Sequence, residues 1–152
     1  MLIKDSFTLP APQADVWNLL QQVERVGACV PGIESLTRLE PDTYQGMLRV
    51  KIGPISAAFG GQVRFIERVA PERLVTEITG QDRVSASLVK ARFTGLLSPA
   101  ETGTRLAYEM DVALRGKLGQ FGGTVMQATA RKMTAEFAQR LGQLLAETHL
   151  SD

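Results

Sequence analysis

The segment LRGKLGQFGGTVM, at positions 114–126, carries the residue types that could form a phosphate-binding loop. Glycine-rich loops that lead from a strand into a helix bind phosphate when their backbone N–H groups converge at the helix N-terminus. The spacing here, G-x-x-G-x-x-G-G, fits neither G-x-G-x-x-G nor G-x-x-x-x-G-K-[ST], and the preceding strand belongs to an antiparallel series. We therefore predict either a close-packed turn or a portal in which Phe121 is a hydrophobic gate. Its glycines are Gly116, Gly119, Gly122 and Gly123.

The other reactive side chains are isolated from one another. The only histidine, His149, lies three residues from the C-terminus, where a fixed proton-transfer geometry is hard to maintain. The only cysteine, Cys29, has no histidine near it in sequence, and we predict that it is a buried apolar side chain. Glu109 and Asp111 share the wet face of a predicted strand and are expected to be exposed. The sequence therefore predicts no catalytic residue and no metal site.

Length and composition indicate one folded domain over residues 1–152. Hydrophobic residues make up 44% of the chain and charged residues 22%, which is typical of a folded protein. The formal charge is +1, so the sequence shows no basic field for nucleic acid. No segment has the pattern of a signal peptide or the length of a membrane span, and we expect a cytoplasmic protein.

The hydrophobic periodicity predicts an α+β fold. A strand is expected over residues 2–9 and a helix over 13–21, followed by a turn or short irregular helix at 27–32. Residues 34–114 alternate apolar and polar side chains between turn signals, which predicts about six antiparallel strands. A helical stripe then runs over 119–147. The expected architecture is a curved antiparallel sheet of about seven strands wrapped around a long C-terminal helix.

Sheet and helix in such a fold can enclose an apolar cavity. Aromatic and methionine side chains on both elements would supply flexible apolar walls, although such residues also fill ordinary cores. The residues expected to bind an apolar ligand are Val50, Ile52, Phe59, Phe65, Phe93, Tyr108, Met110, Phe121, Val125, Met126, Thr129, Met133 and Phe137.

Four segments of the chain resemble the CoxG family of carbon monoxide dehydrogenase subunits, which belongs to the START/Bet v1-like (SRPBCC) superfamily. They are VWNLL at 16–20, CVPGIESL at 29–36, YQGMLRVKIGPISAAFGG at 44–61 and RGKLGQFGG at 115–123. The resemblance implies a helix-grip fold that holds a lipid or other apolar molecule. It also implies a role beside a molybdenum hydroxylase, either servicing that enzyme or bringing it to the cytoplasmic membrane.

The resulting hypothesis is a non-enzymatic lipophilic-ligand-binding protein that is accessory to a molybdenum hydroxylase. No covalent cofactor is expected, and an isoprenoid quinone or another lipid is the expected non-covalent ligand. Peripheral contact with the inner face of the cell membrane is part of the same hypothesis. Two alternatives remain open at this stage: a polyketide cyclase-like enzyme, which needs polar groups in the cavity, and an assembly or docking factor without a ligand. The inward polar candidates are Tyr44, Tyr108 and Thr129.

Overall fold

The computed structural model describes residues 1–150, with side chains described over residues 1–147. The side chain of His149 therefore lies outside the described residues. The chain forms one sheet, three α-helices and a short 3-10 helix within this range. In chain order they are β1 (Leu2–Leu9), α1 (Gln13–Leu20), α2 (Val23–Gly27), β2 (Ile33–Glu40), β3 (Thr43–Ile52), β4 (Ile55–Val69), β5 (Arg73–Asp82), β6 (Ser87–Ala100), β7 (Gly103–Arg115), the 3-10 helix (Lys117–Phe121) and α3 (Gly122–Leu150).

The seven strands form one antiparallel sheet in the order β1-β7-β6-β5-β4-β3-β2. Strands β2 to β7 pair with their sequence neighbours, because each is joined to the next by a tight turn. Strand β1 pairs with β7 at the far edge. The predicted sheet of about seven strands, with six consecutive antiparallel ones, is confirmed, and a register shift between Phe65 and Glu67 interrupts the regular pairing of β4.

The alternation of side chains along β7 distinguishes the buried face of the sheet from its exposed face. Tyr108 and Val112 are buried on the face that turns toward α3. Glu109 and Asp111 point the other way, with 57% and 76% of their side chains exposed. The prediction that these carboxylates are exposed is confirmed.

The first helices close one end of the sheet. Helix α1 buries Val16, Leu19 and Leu20 in the main core, as their helical spacing predicts. Helix α2 follows almost at once and ends at Gly27, after which the chain turns through residues 28–32. Cys29 is buried in the same core, and burial raises the pKa of its thiol, so Cys29 is the inert apolar side chain that the sequence predicts.

The long C-terminal helix begins three residues later than predicted. Residues 117–121 form a 3-10 helix, and the α-helix starts at Gly122 instead of about residue 119. The physical reason is that Gly122 adopts φ 78°, a left-handed conformation that cannot lie inside a continuous right-handed helix.

Two separate hydrophobic cores hold α3 onto the sheet. The main core joins α1, the sheet and the C-terminal half of α3, where Leu141 and Leu145 are buried. A smaller core surrounds Leu118 of the 3-10 helix and includes Ile52 and Phe59. The main core takes its strand residues from β1, β5, β6 and β7, and the small core takes them from β3 and β4.

Candidate ligand-binding site

Helix α3 crosses the concave face of the sheet and makes its main sheet contacts with β1 and β3. These two strands lie on opposite sides of the sheet, so the helix spans the central strands between them. Phe93 and Met110 on the sheet, and Met126 and Phe137 on the helix, face this interior but are only half-buried. The middle of the grip is therefore packed less tightly than the cores at its two ends.

A groove of about 510 Å³ opens to solvent between β3 and α3. Val50 of β3 faces Val125, Ala128 and Met133 of α3 across it, and these apolar side chains form its walls. The volume lies within the roughly 300–1,000 Å³ that is typical of small-molecule sites. The charged residues that line it are Arg49, Lys51, Lys132 and Glu136.

The corner before β2 forms one wall of this groove. Pro31 and Gly32 line it, and Gly32 adopts φ 88°. The backbone N–H of Arg49 donates to the carbonyl oxygen of Gly32 at 2.9 Å, which holds the corner against β3. A Cβ at Gly32 would collide with the backbone oxygen of Arg49, so the close approach requires glycine.

One polar pair lies inside the grip. The hydroxyls of Tyr108 on β7 and Thr134 on α3 are 2.6 Å apart, and either one can donate the hydrogen bond. The Tyr108 ring stacks on Phe93, with centroids 5.5 Å apart and the planes at 24°. Burial raises the pKa of the Tyr108 phenol, so this group keeps its proton at neutral pH and is available as a hydrogen-bond donor.

The ring of Phe121 lies directly over Gly53, where an added Cβ would come within 3.0 Å of it. Gly53 also lines the groove, so Phe121 stands at the end of the groove nearest the 3-10 helix. Gly116 and Gly122 flank that helix and have φ 91° and 78°. This geometry suits a gate between two glycine joints, and the portal stays a prediction.

The predicted site residues divide into three groups in the structure. The sequence assigns them all to one cavity between sheet and helix, whereas tertiary packing separates them into different regions of that interface. The groove contains Val50, Val125, Thr129 and Met133; the small core contains or adjoins Ile52, Phe59, Phe121 and Met126; and the wall toward the main core contains Phe65, Phe93, Tyr108, Met110 and Phe137.

Two glycines of the predicted portal have local structural roles. The backbone N–H of Gly119 donates to the carbonyl of Gly116 at 3.1 Å and closes the 3-10 turn. Gly123 lies in the first turn of α3, where an added Cβ would meet the sulfur of Met1 at 3.8 Å, an ordinary contact distance.

Sequence reasoning missed Pro31, Gly32 and Lys132 as groove residues, and Thr134 as the partner of Tyr108. Thr134 follows Ala130 by four residues and precedes Phe137 by three on the inner side of α3, so helical spacing could have identified it. The others depend on how the β2 corner packs on the helix, for which the sequence carries no local signal.

The carboxylates with perturbed pKa values lie outside the grip. A hydrogen bond from Arg64 lowers the pKa of Glu77 on the outer face of β5. A hydrogen bond from Ser85 lowers the pKa of Asp82 in the turn after β5. Among the described residues, no three His, Cys, Asp or Glu side chains converge in the manner of metal ligands.

A second depression, of about 460 Å³, lies beside the β2–β3 turn at the opposite end of the sheet. Its lining includes Glu40, Asp42 and Arg64, and it opens to the outside of the molecule. Its lining also includes the apolar residues Pro41, Phe65 and Ile66, and Phe65 is one of the residues that the sequence predicts to bind a ligand. No helix in residues 1–150 has both the length and the apolar character needed to cross a bilayer.

Several solved structures share this architecture at low sequence identity. A conserved protein from Geobacillus kaustophilus has a TM-score of 0.89 at 19% identity over 97% of each chain. A protein from Rhodobacter sphaeroides has a TM-score of 0.67 at 19% identity, over 96% of this chain and 92% of its own. Ara h 8.0201, a Bet v1-type allergen, has a TM-score of 0.66 at 13% identity, over 97% of this chain and 98% of its own. These similarities establish the helix-grip fold.

Family membership comes from the sequence itself. No curated protein sequence matches the chain significantly. The sequence profile of the CoxG family of carbon monoxide dehydrogenase subunits, however, matches residues 6–146. Since this match covers nearly the whole chain, which also has the helix-grip fold, the protein belongs to the CoxG family.

Proposed function

We propose that this protein is a non-enzymatic carrier of a lipophilic molecule and an accessory to a molybdenum hydroxylase of the carbon monoxide dehydrogenase type. The observation that carries the proposal is the apolar groove between β3 and α3 in a chain of the CoxG family. An apolar molecule gains about 25 cal/mol per Å² of surface that it removes from water, and such a groove offers that gain. The family description supports the accessory role and the identity of the partner enzyme.

An isoprenoid quinone is the ligand that we propose for the groove. A molybdenum hydroxylase must pass its electrons to an acceptor, and a quinone dissolves in the membrane through an apolar tail. Val125 and Met133 offer apolar contacts for such a tail, while Lys132 at the rim offers a donor to a carbonyl oxygen of the head group. The ligand would be held without a covalent bond.

A cyclase-like reaction has less support. General acid–base chemistry needs a titratable group that faces the substrate and has a pKa near the working pH. Glu77 and Asp82 have lowered pKa values and lie away from the grip interior. Tyr108 has a raised pKa and bonds to Thr134, so it is suited to donating a hydrogen bond and poorly suited to accepting a proton.

Native mass spectrometry tests the carrier proposal. The protein would be incubated with a short-chain isoprenoid quinone, and we expect a complex with one ligand per chain. Ala128→Trp should abolish the complex, because an indole at this position fills the groove. Ala135→Trp is the matched control: it makes the same change on an exposed position of the same helix and should retain the ligand.

A clean unliganded mass for the wild-type protein, at quinone concentrations well above the protein concentration, would contradict the carrier proposal. The docking-factor alternative predicts a different result in an activity assay of the partner enzyme. If Ala128→Trp supports that enzyme as well as the wild type does, the groove has no role in the accessory function.

A further inference from the structure

Thr76, in the middle of β5, is a buried polar residue on the concave face of the sheet. It pairs in register with Phe65 on β4 and with Phe93 on β6. Residues that pair directly across antiparallel strands point to the same face. The ring of Phe93 stacks on Tyr108, whose hydroxyl meets Thr134 of α3. The side chain of Thr76 therefore points toward α3, into the grip.

The Thr76 hydroxyl has no hydrogen-bond partner among the described residues, although only 6% of the residue is exposed. The other buried hydroxyls, those of Ser85, Ser87 and Thr104, all have partners. In the same part of the chain, every side-chain oxygen or nitrogen atom that is fully enclosed also has a partner. The Thr76 hydroxyl is therefore not fully enclosed, and it borders open space inside the grip. A hydroxyl in this position is costly unless another group forms a hydrogen bond with it.

The two aromatic rings that flank Thr76 are turned away from it. The ring of Phe65 contacts Tyr44 on the β3 side, edge to face, with centroids 6.0 Å apart. The ring of Phe93 contacts Tyr108 on the β7 side. Strands β4 and β6 lie two inter-strand spacings apart, roughly 10 Å, so a slot with Thr76 at its floor lies between the two rings.

Helix α3 covers this slot with a small side chain. Ala130 lies one turn before Thr134 on the same side of the helix, so it faces the same part of the sheet, and it is only half-buried. Met133, which lines the groove, precedes Thr134 in the helix. The slot therefore lies at the same level of the grip as the Met133 end of the groove.

We propose that Thr76 selects the ligand, by forming a hydrogen bond with an oxygen atom on a flat ring that stands between Phe65 and Phe93. Phenyl rings pack well against a flat conjugated ring, and a threonine hydroxyl can donate to a carbonyl oxygen or accept from a hydroxyl. The side chains that flank Thr76 are neutral, so the ligand class is an uncharged ring that bears a carbonyl or hydroxyl group.

This inference rests on the proposed function and extends it to the inner end of the ligand. The isoprenoid tail keeps its place in the groove, where Val125 and Met133 contact it. Lys132 meets the head group at the entrance, and Thr76 holds it inside the grip. A hydrocarbon ring of the same shape would leave the Thr76 hydroxyl unpaired, so this residue separates oxygen-bearing rings from plain ones.

A matched pair of small molecules tests the role of Thr76 without the isoprenoid tail. Duroquinone is a benzoquinone ring with four methyl groups, and durene is the benzene ring with the same methyl groups and no oxygen. The full chain would be titrated with each molecule, and binding would be followed by NMR through the methyl signal of Met110, which pairs with Phe93 on β7. We expect a saturable shift of the Met110 signal with duroquinone.

Thr76→Val replaces the hydroxyl by a methyl group of similar size. It should weaken duroquinone binding by about fivefold, the value of one neutral hydrogen bond, and leave durene binding unchanged or stronger. The Tm of the unliganded protein should stay the same or rise, because no hydrogen bond within the protein is lost. Thr76→Ser keeps the hydroxyl and should keep the wild-type ratio of the two affinities.

Thr104→Val is the matched control. The Thr104 hydroxyl is fully buried and donates to the carbonyl oxygen of Ala11 at 2.7 Å. Its loss should lower the Tm and leave the ratio of the two affinities unchanged, because the bond belongs to the fold.

The proposal is overturned if Thr76→Val weakens both ligands equally or leaves duroquinone binding intact. Failure of the wild-type protein to bind duroquinone would also overturn it, as would a fall in the Tm of Thr76→Val as large as that of Thr104→Val. Uptake of a short-chain isoprenoid quinone by mass spectrometry is a separate readout. Uptake that does not depend on Thr76 defeats the selectivity role alone. Duroquinone binding that depends on Thr76, without uptake of the isoprenoid quinone, defeats the carrier proposal alone.

Discussion

Ser87→Ala is a small change with a large expected effect, because Ser87 links the turn that carries Val84 to the 3-10 helix. Its side chain has no exposed surface, and its hydroxyl oxygen accepts the backbone N–H of Leu118 at 3.0 Å. Leu118 is fully buried as well, so no water can replace the lost acceptor without a rearrangement. The mutation leaves a buried N–H without a partner.

A buried donor that loses its acceptor costs about 1–3 kcal/mol. The Ser87 hydroxyl also contacts Ser85, whose hydroxyl keeps its bond to Asp82, so the loss should centre on Leu118. We expect the free energy of unfolding to fall by about 2 kcal/mol. For a chain of this length, that corresponds to a decrease in Tm of roughly 4–8 °C.

Urea denaturation measures this free energy, with an unchanged m-value showing that the folded and unfolded states keep their exposed surfaces. Amide hydrogen exchange at Leu118 gives a local readout and should accelerate. Ser56→Ala, on an exposed position of β4, is the control and should stay within about 0.5 kcal/mol of the wild type. A Ser87→Ala protein with wild-type stability and slow Leu118 exchange would refute the role assigned to this hydroxyl.

Three further predictions concern the gate, the core and the interior tyrosine. Gly53→Ala places a Cβ within 3.0 Å of the Phe121 ring at φ 58°, so we expect about 1–2 kcal/mol of destabilisation and a changed ring environment in aromatic NMR signals; unchanged signals would contradict the contact. Leu141→Ala creates a cavity at a fully buried position and should cost about 2–5 kcal/mol in urea denaturation, whereas a cost below about 1 kcal/mol would show that α3 is not anchored there. Because the pKa of Tyr108 is raised in the folded protein, the unfolded chain loses the phenol proton at a lower pH than the folded protein does. The stability that the protonated Tyr108 contributes is therefore fully present below the ordinary pKa of 10.0 and is lost as pH rises through the folded pKa. Tyr108→Phe should flatten that alkaline decrease in Tm, and an unchanged decrease would assign it to other groups.

The fold was predictable because each long segment has one clear hydrophobic periodicity, either that of a strand or that of a helix. The alternation of Tyr108 and Val112 with Glu109 and Asp111 defines both faces of β7 without any tertiary information. The start of α3 was less predictable, since a 3-10 turn and an α-helix have similar side-chain spacing. The left-handed backbone of Gly122 separates them, and a glycine in the sequence permits that conformation without requiring it.

The site was predicted only in part. Val50, Val125, Thr129 and Met133 line the groove between β3 and α3, and their contact with a ligand stays a prediction. The hydrophobic period of a strand or helix identifies its inward face, but it does not show where the helix and the sheet move apart to form a groove. The position of the groove depends on the two cores around Leu141 and Leu118, which fix the ends of α3 against the sheet.

The corner at Pro31 and Gly32 shows a second limit. Its role in the groove depends on the hydrogen bond between the N–H of Arg49 and the carbonyl of Gly32, which joins residues 17 positions apart. Local sequence signals a turn there and gives no information about its partner.

The measurement that most directly tests the carrier role is a titration of the methionine methyl signals with a short-chain isoprenoid quinone, followed by NMR. Met133 lines the groove, whereas Met47 lies on the outer face of β3 and serves as an internal control. We predict a saturable shift of the Met133 methyl signal, an unchanged Met47 signal, and loss of the Met133 shift in Ala128→Trp. A Met133 signal that stays fixed while the quinone is in excess, or equal shifts at both methionines, would contradict the groove as the binding site.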